Sequence, residues 1–392
     1  MARPKFRVFC ATMMMLNLLV CVLVAVSWNL KLGGSDREAV RIPSARFWRE
    51  QERSRSFWNK EQQLLDFVHS PVFRSAPPGW LNDTGPLDPC APDHRVPAQI
   101  PDYNTLPQHL QDFLLHMRCR THPVLIERPG LCEVAPFLLL AVKSMTPHFD
   151  RRQAIRQTWG RAGLRANRTV VTVFLLGGAE STDHHPDLRG MLGHEAERHG
   201  DVLQWDYRDA FYNLTLKEVL FLEWFGRSCP GARFVLKGDD DVFVNTPRVV
   251  AFLEGLTESR ARELFVGDVI SDAEPHRDPK LKYFVPESVF AGRYPPYAGG
   301  GGYLYSGELA LRLRNASRRV ALYPIDDVYT GMCLRKLGLA PEKHNGFKTF
   351  DIEEKYRSNP CMYRSLMLVH SQTPQEMMRI WSWITSPELD CQ

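Results

Sequence analysis

"RFVLKGDDDVFVN", residues 233–245, is an apolar run that ends in three consecutive carboxylates and then resumes as apolar residues. Like charges repel, so local stability gives no reason to set Asp239, Asp240 and Asp241 side by side, and a positive partner is expected close by. In open α/β sheets ligands gather at the carboxyl ends of strands, and these aspartates end a strand. If the extended conformation continues, Asp239 and Asp241 face one side and Asp240 the other. Two carboxylates on one side suit a hard divalent cation such as Mg²⁺ or Mn²⁺, whose remaining ligands come from water and substrate phosphates. A nucleotide diphosphate is the natural third party. Two other readings fit the same residues. One is an acidic turn capping a helix after Thr246; the other is a phosphatase D-x-D-x-[TV] motif, which needs its aspartates on the first strand of its domain.

The flanking sequence shows that this strand is the fourth. Residues 136–144, 169–179 and 201–207 are earlier apolar runs, each followed by an amphipathic stretch: "RRQAIRQTWG", "HPDLRGMLGHEAERHG" and "TLKEVLFLEWFGRSC". Strands that are apolar throughout and alternate with helices predict an α/β fold, with a mainly parallel sheet covered by helices on both faces. "LPQHLQDFLLHMRC" before them reads as a short helix, with Leu110, Phe113 and Leu114 at helical spacing.

Further out, the chain has 392 residues, 44% of them hydrophobic, and a net charge of +4 from scattered basic residues. That balance gives no sign of a nucleic-acid partner. Arg3, Lys5 and Arg7 precede 23 uncharged residues from Val8 to Leu30, against the roughly 20 that span a bilayer core. Basic residues before the span place residues 1–7 in the cytosol and the bulk beyond residue 30 in a lumen, as in a single-pass type II membrane anchor. Ala25-Val26-Ser27 offers a cleavage sequence, so a cleaved signal peptide is the competing reading. Sequons at Asn82, Asn167, Asn213 and Asn315 and seven of the nine cysteines all lie beyond the span, which suits an oxidising, glycosylating compartment. Seven is odd, so one thiol stays free or pairs between chains; Cys119 and Cys132 are a reasonable local pair. Residues 31–104, rich in Arg, Glu and then Pro, read as a stem, with Trp48, Trp58 and Trp80 able to pack on the body, and 105–392 as the catalytic domain.

Three stretches bear on the chemistry. "KSMTPHFDRRQAIRQTWG" gathers Lys143, Arg151, Arg152 and Arg156 after the first strand, with Arg152 and Arg156 on one helix face; a solvated basic face and a diphosphate site both fit. "YPPYAGGGGYLYS" holds Gly299–Gly302. It reads as a floppy loop or as backbone passing a ligand where any Cβ would collide, with Gly300 and Gly301 as candidate donor contacts and Tyr294, Tyr297 and Tyr303 available to sugar rings. "LYPIDDVYTGMCLRKLG" puts Asp326 and Asp327 at the head of an amphipathic helix, and capping accounts for one aspartate better than for two.

Taken in order, "RRQAIRQTWG", "FLLG", "VLKGDDDVFVN", "PPYAGGGGYLYSG", "PIDDVYTGMCL" and "LMLVHS" resemble the β-1,3-glycosyltransferase family of the Golgi, most nearly its N-acetyllactosaminide β-1,3-N-acetylglucosaminyltransferases. The resemblance runs from about residue 104 to 391. It implies a GT-A fold, a Golgi location, Mn²⁺ or Mg²⁺, UDP-GlcNAc as donor, a galactose-terminated glycan as acceptor and an inverting mechanism. By position it makes Asp239 and Asp241 the D-x-D pair, Asp241 and His370 metal ligands, and Asp327 the general base. Lys143, Arg152, Arg156, Asp240 and Asp326 become donor-site residues. Where many relatives read Glu-Asp, this chain has Asp326-Asp327. A transferase of UDP-galactose or another UDP-sugar, and a lectin-like member that binds without transfer, are the alternatives. Assembly with itself or with other glycosyltransferases stays open.

Overall fold

The computed structural model describes residues 54–69, 89–178, 187–350, 352–388 and 390–391. The Val8–Leu30 span, Trp48, Trp80 and Asn82 lie outside them, and no described helix is long and apolar enough to cross a membrane.

Four parallel strands form the centre: β1 (Leu138–Lys143), β2 (Arg168–Gly178), β3 (Val202–Arg208) and β4 (Phe234–Asp239), in spatial order β3-β2-β1-β4. Every residue of β1 is buried, as expected of a central strand covered on both faces. Alternation then sorts its side chains between two cores. Leu139 and Ala141 join one; Leu138, Leu140 and Val142 join the other.

On the first face lie α1 (Phe57–Val68), α2 (Gln108–Leu115), α5 (Leu214–Ser228), α7 (Gly307–Ser317) and α8 (Asp326–Lys336). The second carries α3 (Phe149–Gln157), α4 (Leu188–His199), α6 (Thr246–Glu254) and α9 (Pro374–Thr385). Helix α9 starts in a capping box between Thr373 and Glu376, which satisfies two otherwise orphaned backbone donors.

The glycine run is a strand, not a loop. It lies within β6 (Tyr297–Ser306), which runs antiparallel to β4 on one side and to β5 (Phe265–Ile270) on the other. The sheet is therefore mixed at this edge. Trp58, on α1, is fully buried, and its indole N–H donates to the carbonyls of Ala321 and Leu322 at 3.2 and 3.1 Å. Part of the segment read as stem thus packs into the first core.

The disulfides are Cys90–Cys119, Cys132–Cys229 and Cys361–Cys391, and Cys333 is a buried free thiol. Cys119 and Cys132 do not pair. The short strand Val124–Ile126 between them pairs with β3, and this carries Cys132 away toward Cys229 at the end of α5.

Candidate active site

The positive partner required by the aspartates comes from the strand next door. β1 and β4 are parallel, with Lys143 in register with Asp239, so both side chains leave the sheet at its carboxyl end on the first face. Lys143 Nζ lies 2.8 Å from Asp239 Oδ1 and 2.8 Å from Asp326 Oδ2. Burial opposes its charge, but the two carboxylates override this and hold the ammonium well above the ordinary lysine value. Asp326, at the first position of α8, is buried; burial alone would raise its carboxyl, but Lys143 holds it below the usual range. Asp239 goes the other way, raised by burial against the pull of Lys143 and with Asp326 adding to the rise.

Asp240 turns to the opposite side, as strand alternation requires. It accepts hydrogen bonds from Ser144 Oγ at 2.7 Å, His148 Nδ1 at 2.8 Å and Arg151 Nη1 at 2.8 Å. Against its burial, these partners, His148 foremost, lower the carboxyl. Asp240 therefore braces the loop after β1 and is not free to meet a ligand.

Asp241 faces His370. A small three-stranded sheet of Phe243–Val244, Leu368–Val369 and Phe347–Lys348 brings them together, and His370 Nε2 sits 3.3 Å from Asp241 Oδ1. His370 Nδ1 lies 2.8 Å from the Thr349 carbonyl. A carbonyl only accepts, so Nδ1 carries a proton; Asp241 beside Nε2 raises the imidazole above its ordinary value, and a cation held there would take the Nε2 lone pair in place of a proton. The ligand atoms of Asp239, Asp241 and His370 all lie within 4.8 Å of one another. Two carboxylate oxygens and one imidazole nitrogen, partly open to solvent, fit a divalent cation that keeps positions for water and phosphate.

Asp327 occupies the other side of the glycine strand. Its Oδ1 is buried with no hydrogen-bond partner among the described residues. Burial first, and then the charge of Asp326, push its carboxyl well above the usual range. The glycines are needed here. A Cβ on Gly300 would stand 2.6 Å from Asp327 Oδ2, and one on Gly301 would stand 3.0 Å from His370 Cβ. Backbone without side chains thus lets Asp327 and His370 flank one cleft.

Lys143, Asp239, Asp241, Asp326, Asp327, Gly300, Gly301 and His370 are brought together in this way. Arg152 and Arg156 are not. Arg152 is fully buried, bound to Glu195 on α4 and to the carbonyls of Met145 and Thr146. Arg156 pairs with Glu195 at 2.6 Å and Asp201 at 2.8 Å. Their common helix face looks at α4, and it is their neighbour Arg151 that reaches Asp240 and, at 3.6 Å, Asp241.

Of the tyrosines, Tyr303 is buried under Glu218 and Tyr294 is buried against Tyr323, so only Tyr297 remains near the cleft. Asn167 sits at a turn with φ +63, Asn213 donates to the Arg208 carbonyl, and Asn315 is exposed on α7. Sequence reasoning missed Ser144 and His148, which hold Asp240 from the loop after β1; lone residues of these types carry no spacing that signals a carboxylate partner.

A family model described as Galactosyltransferase matches residues 150–345. The chain is 53% identical, over 97% of both chains, to N-acetyllactosaminide β-1,3-N-acetylglucosaminyltransferase 2 of Mus musculus. It is 40% identical to UDP-GlcNAc:βGal β-1,3-N-acetylglucosaminyltransferase 7 of Rattus norvegicus, over 84% of this chain and 83% of that one. Among solved structures, the galactosyltransferase LgtC overlaps 64% of this chain and 98% of its own at 12% identity, with a TM-score of 0.35.

Proposed function

The chain belongs to the β-1,3-N-acetylglucosaminyltransferases of the galactosyltransferase family, and from that premise we propose that it moves N-acetylglucosamine from UDP-GlcNAc to the 3-hydroxyl of a terminal galactose in N-acetyllactosamine. The observation that carries this reading is the pairing across Gly300 and Gly301. An unpartnered carboxylate of raised basicity lies on one side, and a two-carboxylate, one-imidazole set lies on the other. Donor and acceptor follow the names of the relatives.

A divalent cation on Asp239, Asp241 and His370, Mn²⁺ or Mg²⁺, would bind the donor diphosphate and stabilise the charge growing on departing UDP. Asp327 accepts the proton of the galactose 3-hydroxyl as that oxygen attacks the anomeric carbon from the face opposite UDP. One base serves a direct displacement, so the α-linked donor sugar emerges β-linked and no enzyme nucleophile is needed. Lys143 pairs with both Asp326 and Asp239 and fixes the spacing between the base and the metal set. We further propose a Golgi location, with Val8–Leu30 as a type II anchor and the site in the lumen.

The test uses the full chain in detergent, offered a panel of UDP-sugars with N-acetyllactosamine, followed by linkage analysis of the product. A β-1,3-linked N-acetylglucosamine formed only from UDP-GlcNAc, and lost in EDTA, is expected. Preferential transfer of another sugar, or full transfer in EDTA, would overturn the donor or the metal assignment respectively.

A further inference from the structure

His370 is the one member of the metal set that does not come from the aspartate triplet, and its place depends on residues 342–349, which leave the main sheet and enter the small one. Glu342–Lys343 pairs in parallel with β5, and the His344 amide donates to the Gly267 carbonyl at 2.9 Å. Beyond Gly346, Phe347–Lys348 pairs with Leu368–Val369. The end of this segment then holds His370 twice. The His370 amide donates to the Lys348 carbonyl at 3.0 Å, and its Nδ1 donates to the Thr349 carbonyl at 2.8 Å.

Asp268 of β5 fastens that end to the main sheet. Its Oδ2 accepts from the Thr349 amide at 3.2 Å. The pairing of β5 with β6 slips between Gly267 and Val269, and Asp268 is the residue at the slip. Irregularities of this kind re-aim a side chain beside an active site. The other partner of Asp268 is Lys343, whose Nζ lies 3.8 Å away on a side chain that is 63% exposed. An exposed pair of that sort contributes little, so the Thr349 amide is the contact that counts.

Nothing polar on the Thr349 side chain orients the residue. Its Oγ1 is buried with no hydrogen-bond partner among the described residues, and its Cγ2 stands 2.5 Å from where a Cβ on Gly299 would be. The direction of its carbonyl is therefore left to its backbone bonds. That direction sets the imidazole ring, because the hydrogen bond made by one ring nitrogen fixes where the other points. A tilt of the Thr349 peptide would swing Nε2 away from Asp241 Oδ1, now 3.3 Å from it.

We propose that Asp268 is a positioning residue for the divalent cation: by fixing the Thr349 peptide, it aims His370 Nε2 at the point shared with Asp239 and Asp241. Asp268 stands outside the group whose ligand atoms lie within 4.8 Å of one another, so it acts through His370 and not as a ligand. The proposal rests on the metal assignment above and extends it to a residue of β5.

The test titrates full-length protein in detergent with Mn²⁺, at saturating UDP and without acceptor, and reads free Mn²⁺ by electron paramagnetic resonance. Asp268→Ala should raise the Mn²⁺ Kd about 10- to 100-fold, as loss of a group that orients a metal-binding histidine does. Asp268→Asn keeps an oxygen that accepts from the Thr349 amide and should stay near wild type, although it loses the charge facing Lys343. Adding Asp268→Ala to His370→Ala should weaken binding no further, whereas independent contributions would multiply. An unchanged Kd in Asp268→Ala, an equal loss in Asp268→Asn, a multiplied loss in the double variant, or failure of Asp268→Ala to fold would each overturn the positioning role. A wild type that binds no Mn²⁺ would instead remove the metal assignment, and the proposal with it.

Discussion

Asp326 and Asp327 start the same helix, yet their carboxyls are driven in opposite directions. The helix N-terminus favours a negative charge on both. Asp326 has Lys143 at 2.8 Å and drops below the usual range, whereas Asp327 has a bare, buried Oδ1 and rises well above it. A pair of titratable groups pushed apart in this way divides the labour between them: one anchors, the other exchanges a proton. Asp327→Asn keeps the size and removes the base, so transfer should fall about 10²- to 10⁴-fold while UDP binding and the melting temperature stay near wild type. Asp326→Asn strips a buried ammonium of one partner and should lower the melting temperature as well. If Asp326→Asn alone abolishes transfer while the fold is kept, the roles are reversed.

The elements that were legible in the sequence are those buried on both sides. β1 and the Val173–Leu176 end of β2 announce themselves as unbroken apolar runs because neither face meets water, and β3 and β4 keep enough of that pattern around Gln204 and Lys237 to be read. The edge was harder. β6 carries four glycines because Asp327, His370 and Thr349 crowd its surface, and nothing in the run itself separates a strand pressed by side chains from a loop.

In the proposed metal set, the placing of Asp239 and Asp241 on one side was legible, because alternation suffices. His370 was reachable only through family resemblance, since 129 positions separate it from Asp241. The arginines on α3 show the limit of spacing. An interval of four residues puts Arg152 and Arg156 on one face but does not say which way that face looks, and Glu195 on α4 decides it.

That cluster gives a prediction of its own. Against its burial, Arg152 and then Arg156 hold the Glu195 carboxyl below its ordinary value of 4.5. A depressed carboxyl contributes stability that is complete above the unfolded value and is lost as pH falls through the folded one. Glu195→Gln should therefore cost about 3–5 kcal/mol at pH 7, measured by denaturant titration. The gap to wild type should close as pH drops below about 4.5, where unfolded glutamate takes up its proton. A gap that stays constant from pH 7 to the acid limit would mean that the pair contributes packing and not charge.

At the scale of the whole molecule, the question is where the folded body begins. Residues 31–104 read as stem, and their charged part ahead of the proline-dense stretch holds a helix that the body uses. α1 lies well upstream of the first strand, yet Trp58 is fully buried, with its ring edge-on to Phe290 at 5.3 Å and to Tyr323 at 5.8 Å. The backbone joins in: the amides of Phe57 and Trp58 donate to the carbonyls of Ser288 and Val289 at 2.9 and 2.8 Å. Gln62 adds a bond in each direction, receiving from the Ala321 amide and donating to the Arg319 carbonyl. These partners lie in the 288–321 segment that leads into Asp327, so α1 braces the chain that positions it. Truncating a buried tryptophan costs about 3–5 kcal/mol, and Trp58→Ala should lose that much in denaturant titration. A fragment starting at residue 70 should unfold at lower denaturant than one starting at residue 54, and should transfer more slowly at the same temperature because the 284–323 backbone loses its support. Equal midpoints for the two fragments would show that α1 only rests on the body, and that the catalytic fold begins after it.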